Sequence, residues 1–348
     1  MVFCFASCAY GEINAHKGCS TVLRNIIKKR EPIVGLDIGA SAIKLVQLDL
    51  APSTPALKAF GSIPMPSDAV QGNSIKNPER VADAIRTLWH ESKCSCRAVS
   101  VALPGGSVFV KAITVPRLPW RDLREQVALE VAQFIPYDRD AISIDFQVLR
   151  SINPESLEVL VVAAKNEILG GYLEAIERAG LTTMVVDVDC FALQNCFEYS
   201  EPEQLDKTTA LIDIGARFSS LHIVREGRSL RIGDVLFGAQ SVQVSERDAA
   251  ALVSELAQQL SLLCSSEDEE IKLDGIRLNG GGSVVPGVVE ILADTVQIPV
   301  RQMTPHAHIS IPAEFNTELV ESSAPFMAIA VGLALRCPGD HIVPEYLE

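Results

Sequence analysis

The chain has 348 residues, 48% hydrophobic and 21% charged, which is ordinary globular usage and excludes a disordered or collagen-like chain. At this length roughly three quarters of the surface can be buried, so a core needs neither disulfides nor metals. Thirty Lys and Arg against 44 Asp and Glu give a net charge of −14, which argues against a nucleic-acid partner and against electrostatic docking on an anionic membrane.

Residues 1–30 read as a disordered or basic leader. The opening MVFCFASCAY has no basic segment ahead of it, and Thr21 to Arg30 forms one short basic amphipathic piece. No apolar run reaches the ~20 residues of a membrane-spanning helix. The nine cysteines form no CxxC pair and fit a reducing cytosol. From Ile33 to Leu48 an apolar strand, a small-residue turn at Gly39 to Ser41 and a second strand predict a β-hairpin. Asn77 and Pro78 open a helix running to Lys93, with Val81, Ile85 and Leu88 on one face. Strands are predicted at 98–103, 108–115, 141–150, 157–164 and 184–187, and helices at 121–133, 166–179 and 189–198. The polar stretch 201–207 reads as a linker.

The first hairpin then returns. Thr209 to Val224 again has an apolar strand, Asp-Ile-Gly-Ala, a short turn and an apolar strand, with Asp213 176 residues after Asp37. An internal duplication at half the chain length follows. Beyond it come a helix at 244–265, a strand at 275–278, the run Asn279-Gly280-Gly281-Gly282, a helix at 286–296 and a final apolar helix at 325–336.

Two related Asp-Ile-Gly-Ala turns suggest two backbone loops facing each other across a cleft. Glycine permits close approach, and successive N–H groups can cradle phosphate oxygens. An Asp at the end of each first strand can hold Mg²⁺ through water, and Lys44 can reach a phosphate as a point charge. The third glycine cluster suits a nucleotide's sugar or base. The candidate nucleotide-binding residues are Asp37, Gly39, Ala40, Ser41, Lys44, Asp213, Gly215, Ala216, Ser219, Ser220, Gly280, Gly281 and Gly282, with Asp37 and Asp213 as the Mg²⁺ pair. Asp187 and Asp189 sit where the two halves cross. Either suits the start of the following helix. His306-Ala307-His308 and the acidic run Glu267 to Glu270 read as solvated loops.

The arrangement resembles the actin–Hsp70–sugar kinase superfamily: 37–44 looks like its first phosphate loop, 213–220 its second and 279–282 its adenosine loop. Leu118-Pro119-Trp120-Arg121-Asp122-Leu123, Glu130 to Tyr137, Val161 to Lys165, Ala179-Gly180-Leu181, Val186 to Leu193 and Ala330 to Ala334 bring it closer to the PilM family of type IV pilus assembly proteins, itself similar to FtsA. The resemblance covers roughly residues 33–336. It implies an α/β, actin-like (ribonuclease H-like) two-lobed fold with a PilM/FtsA-type inserted subdomain, and it makes Asp187 the candidate catalytic acid that would orient a water. The expected divisions are a leader at 1–30, lobe I at 31–106, the insertion at 107–170, a return to lobe I with a crossing helix at 171–200, a reduced lobe II at 207–323, and a C-terminal helix and tail at 324–348. Roughly 59 residues separate Ser220 from Asn279, where chains of the family carry a longer helical subdomain, and Arg217 and Phe218 stand where they have small residues.

The function the resemblance implies is a cytoplasmic scaffold of type IV pilus assembly, peripheral at the inner membrane through a partner. That partner would be the N-terminal cytoplasmic peptide of a PilN-like protein, and self-association is a further expectation. ATP with Mg²⁺ would bind in the cleft, weakened by the shortened second lobe. The alternative is an active ATP-hydrolysing, FtsA-like filament protein.

Overall fold

The computed structural model describes residues 2–3, 32–239, 246–265 and 270–337. Apart from Val2 and Phe3, the leader expected at 1–30 lies outside the described residues, as do Glu267 to Glu269 of the acidic run and the tail beyond Cys337.

The chain opens with β1 (Val2–Phe3). Next, β2 (Val34–Ile38) is buried at every position, as expected of an apolar strand covered on both faces. It pairs antiparallel with β3 (Ala42–Asp49), and β3 with β4 (Ala56–Pro64). The short β5 (Val70–Gln71) and β6 (Ser74–Ile75) form a ribbon of their own. Helix α1 (Pro78–Glu91) starts where the sequence predicted, because the Asn77 side chain accepts the Arg80 N–H. The next strand, β7 (Ala98–Leu103), runs parallel to β2.

An insertion follows: β8 (Val108–Pro116), α2 (Trp120–Val131), β9 (Ile142–Asn153) and β10 (Ser156–Lys165). Its sheet is antiparallel in the order β8-β10-β9. Leu123, Val127 and Val131 recur every four residues along one face of α2. They pack on Val115, Phe146, Leu157, Val159 and Val161, a core separate from those of the two large sheets. Trp120 lies against Phe146 with ring centroids 4.9 Å apart.

The chain then returns through α3 (Asn166–Arg178) to β11 (Thr182–Val188), parallel to β7. The parallel dipeptide β1 borders β11, so the first sheet reads β1-β11-β7-β2-β3-β4. Helix α4 (Asp189–Ser200) leads into the second half. There the elements are β12 (Thr209–Ile214), β13 (Ser219–Arg225), β14 (Arg228–Val235), α5 (Glu246–Cys264), β15 (Gly275–Asn279), α6 (Val288–Val296), β16 (Val300–Gln302) and α7 (Thr317–Ala334).

The second sheet has the order β14-β13-β12-β15-β16. Its central strand β12 carries an antiparallel hairpin partner β13 and then β14 on one side, with the parallel strands β15 and β16 on the other. That is the plan of β4-β3-β2-β7-β11. The duplication visible in one hairpin thus extends to five strands, most of which share no readable sequence.

Two helices join the halves. Every residue of α4 from Cys190 to Ser200 is buried, as befits a helix enclosed on all sides. It crosses α7 at a contact that admits no side chain: a Cβ on Gly332 would lie 1.7 Å from the Ala192 carbonyl oxygen. Helix α7 also lies on β2, where a Cβ on Gly35 would meet the Ala330 carbonyl at 2.0 Å. The sequence predicted α7 to begin at Pro325. It begins at Thr317, because Asn316 caps it through the Leu319 N–H and Pro325 is accommodated within the helix. The Pro325 carbonyl accepts the Gly280 N–H at 2.6 Å.

Candidate active-site cleft

Antiparallel register decides which side chains meet at the hairpin tips. Asp37 on β2 lies opposite Lys44 on β3, and Asp213 on β12 lies opposite Ser220 on β13. The Gly39 N–H donates to the Ala42 carbonyl at 3.1 Å and the Gly215 N–H to the Phe218 carbonyl at 3.0 Å. The two turns are thus closed by the same bond. A Cβ on Gly215 would stand 2.6 Å from the Phe218 carbonyl oxygen, so the turn needs glycine there. The following amides, Ala40 and Ser41 in one turn and Ala216 and Arg217 in the other, donate no hydrogen bond among the described residues.

Both turns open on a cleft of about 550 Å³, the size range of small-molecule sites. It is lined by Asp37, Gly39, Ala40, Ser41, Lys44, Asp213, Gly215, Ala216, Ser219, Ser220, Gly280 and Gly281. Asp189 and Asp234, which sequence analysis did not place in the site, line it too.

The charges are uneven. The Lys44 ammonium donates to Asp37 at 2.8 Å. Burial pulls its pKa down, but the attraction and hydrogen bond of Asp37, with the Asp213 charge, outweigh that and leave it raised. Burial pushes Asp213 up, against the Lys44 charge and the Asn279 amide, which donates to it at 2.5 Å. Burial also pushes Asp189 up, to about 8. The nearby Asp213 and Asp234 charges add to this, while hydrogen bonds from the Gly105 and Cys190 N–H groups oppose it. Burial raises Asp234 as well. Four carboxyls thus face Lys44 and Arg217 across one cleft, which favours a ligand that brings cations with it.

Two residues nominated from sequence are not part of this arrangement. Asp187 is fully buried, and its carboxylate accepts from Arg336 Nε at 2.6 Å and from the Val188 N–H at 2.8 Å. It therefore cannot reach a water in the cleft. Asp189, two residues on, supplies the carboxyl there: strand alternation alone would put both acids on one face, but β11 ends at Val188 and α4 begins at Asp189. Neither acid is the residue preceding α4, which is Val188. Gly282 does not line the cleft; a Cβ on it would lie 2.0 Å from Ile214 Cγ2. It is a packing glycine. Gly280, at φ +83°, serves both purposes, since a Cβ there would stand 2.5 Å from the Ile214 carbonyl oxygen. No sequence signal marked Asp234, which lies on β14 outside every glycine motif.

The family model of the type IV pilus assembly protein PilM matches residues 35–249 and 241–338. The chain belongs to the PilM family. A solved PilM–PilN type IV pilus biogenesis complex matches it with 29% identity and a TM-score of 0.79, over 88% of this chain and 98% of that one. MreB5 of Spiroplasma citri bound to AMPPNP matches with 10% identity and a TM-score of 0.50, over 88% and 95%. The ethanolamine utilization protein EutJ from Carboxydothermus hydrogenoformans gives 12% identity and a TM-score of 0.49, over 87% and 89%. The fold of this PilM-family chain is actin-like, as its duplicated sheets and facing turns require. Among the described residues no helix is long and apolar enough to cross a membrane.

Proposed function

We propose that this PilM-family chain is a cytoplasmic scaffold of type IV pilus assembly. It binds the N-terminal cytoplasmic segment of a PilN-like inner-membrane protein and is held at the membrane through it. The observation that carries this reading is the match over 98% of the PilM–PilN complex chain. We assign the docking face to the insertion of β8 to β10. There Phe109 and Phe134 stack with centroids 5.2 Å apart, the Lys111 ammonium lies 4.6 Å above Phe134, and that of Lys165 lies 4.1 Å above the half-exposed Tyr137. Rings beside ammonium groups offer an extended peptide both apolar contact and charge. Titration of the labelled PilN-like peptide, followed by anisotropy, should saturate, and Tyr137→Ala should weaken it without lowering Tm. No binding at high micromolar peptide, together with normal piliation after deletion of the gene, would refute the scaffold reading.

The second part of the proposal is a nucleotide in the cleft. Lys44 and the unpaired amides of the two turns suit a phosphate chain, and Gly280 and Gly281 leave room for a nucleoside. Among the described residues no three His, Cys, Asp or Glu converge to hold a metal alone. Mg²⁺ would be carried by phosphate oxygens and water, with Asp37 and Asp213 as outer partners. Mg²⁺ would neutralise phosphate charge beside four carboxyls. Mg-ATP at a hundred times its Kd should stabilise the protein by roughly 2.7 kcal/mol. The shift should vanish in Lys44→Met and Asp213→Ala, and its absence from the wild type would remove the nucleotide. If hydrolysis occurs, Asp189 rather than Asp187 is the carboxyl in position to orient water.

A further inference from the structure

The duplicated turns differ in where they carry their cation. Lys44 in the first hairpin corresponds to Ser220 in the second, and Ser41 in the first corresponds to Arg217 in the second. Each hairpin supplies one cation to the cleft, the first from a strand and the second from the turn itself.

Arg217 crosses the cleft. Its Nη2 lies 3.4 Å from the carbonyl oxygens of Ala40 and Val70, both on the first-sheet side. Those are long hydrogen bonds, weakly held. The backbone beneath the side chain is not free to move with it. The Ala239 N–H donates to the Gly215 carbonyl at 2.9 Å. Gly238 lies so close over the turn that a Cβ on it would stand 2.6 Å from the Arg217 backbone nitrogen. A fixed turn bearing a loosely held guanidinium leaves only side-chain rotation as the mobile element. Guanidinium presents a planar fork of donors that matches phosphate oxygens far better than two carbonyls at the edge of reach.

We infer that Arg217 is a phosphate-responsive latch: it ties the second lobe to the first-lobe backbone at Ala40 and Val70, and a nucleoside di- or triphosphate seated on the paired turns draws it from those carbonyls onto phosphate oxygens. The inference rests on the nucleotide reading of the cleft. Its ligand is recognised through the phosphate chain, so adenosine alone leaves the latch where it is.

The test uses wild type, Arg217→Ala and Arg217→Lys of the full chain. Without added ligand, hydrogen exchange at residues 66–77 should be roughly threefold faster or more in Arg217→Ala, because the clasp on Val70 is lost. In calorimetric titrations Arg217→Ala should weaken Mg-ATP and Mg-ADP at least about tenfold while adenosine binding is unchanged. Arg217→Lys, with charge but no fork, should fall between. Unchanged or tighter Mg-ATP binding by Arg217→Ala would overturn the inference and make the side chain an obstruction. Unchanged exchange would overturn the clasp. If wild type binds neither nucleotide yet the exchange difference is present, the nucleotide reading fails and the phosphate half of the latch with it, while the clasp stands.

Discussion

Replacing Asp187 by Ala should unsettle the fold and leave the cleft's ligand affinity alone. The carboxylate and the Arg336 guanidinium are 0% and 1% exposed and 2.6 Å apart. Removing one partner of such a pair strands the other charge out of water, which costs about 3–5 kcal/mol. The low end applies here: with its amide oxygen turned to Arg336, Asn195 accepts from Nε at 2.9 Å and Nη2 at 3.1 Å, and that partner stays. Unfolding entropy of roughly 2.1 cal/mol/K per residue over 348 residues converts about 3 kcal/mol into a fall in Tm of about 4 °C. The pair joins β11 to the residue just beyond α7, so the loss falls on the packing of α7 against the first sheet. Thermal unfolding by circular dichroism measures it, with Mg-ATP titration of the same variant at low temperature. Asp187→Leu combined with Arg336→Met should recover much of the loss, since an apolar pair needs no compensating charge. A Tm unchanged within a degree in Asp187→Ala, or lost ligand binding with an unchanged Tm, would refute the reasoning and return Asp187 to the cleft.

Three further outcomes are expected. His222, enclosed on β13 against Phe191 and the Cys190 carbonyl, is pulled down to about 4 by burial. The unfolded chain therefore takes up its proton near pH 6.5 and the folded one does not, so stability is lost as pH falls from 6.5 towards 4. The loss is about 2 kcal/mol between pH 7 and 5. The wild-type advantage over His222→Gln in unfolding free energy, from denaturant titration, should shrink by that amount at pH 5, and an advantage constant with pH would contradict the burial argument. Asp189 has the opposite sign: held up to about 8, its contribution is present at low pH and lost as pH rises through 8. Asp189→Asn should therefore raise Tm more at pH 8.5 than at pH 5, and an equal effect at both would contradict the shift. Gly332→Ala should give little soluble protein, since backbone bars the new methyl, whereas Gly170→Ala, in α3 with nothing within 4 Å of the added Cβ, should raise stability by up to about 1 kcal/mol. Parallel expression and melting of the two variants decide it.

What the sequence determined was local and repeated. Both hairpins were legible because an apolar strand, a turn of small residues and a second apolar strand declare themselves within sixteen residues, and their recurrence at half the chain announced two lobes. Helix α1 carried its own start signal at Asn77 and Pro78 and its buried face in the spacing of Val81, Ile85 and Leu88. Most of the residues that line the cleft were legible because they sit in the turns themselves. Elements without local signals were passed over. β4 is an edge strand whose alternation is broken by Gly61, and β14 mixes charge with short apolar stretches. The start of α7 is masked because Pro325 has the look of a first-turn residue, while the cap at Asn316 lies more than two turns earlier.

Tertiary structure alone decided between Asp187 and Asp189. Both are acids near the end of β11, and both are plausible at the start of a helix. Which one faces the cleft depends on where the chain leaves β11 for α4, which separates two positions that a continuous strand would keep on one face, and on the arrival of Arg336 from 149 residues away. It also decided that Gly282 packs against Ile214 while Gly280 and Gly281 border the cleft, and that Asp234 joins the site. A charge's partner, a glycine's neighbour and a carboxyl's burial are properties of contacts between distant segments, and no local pattern encodes them.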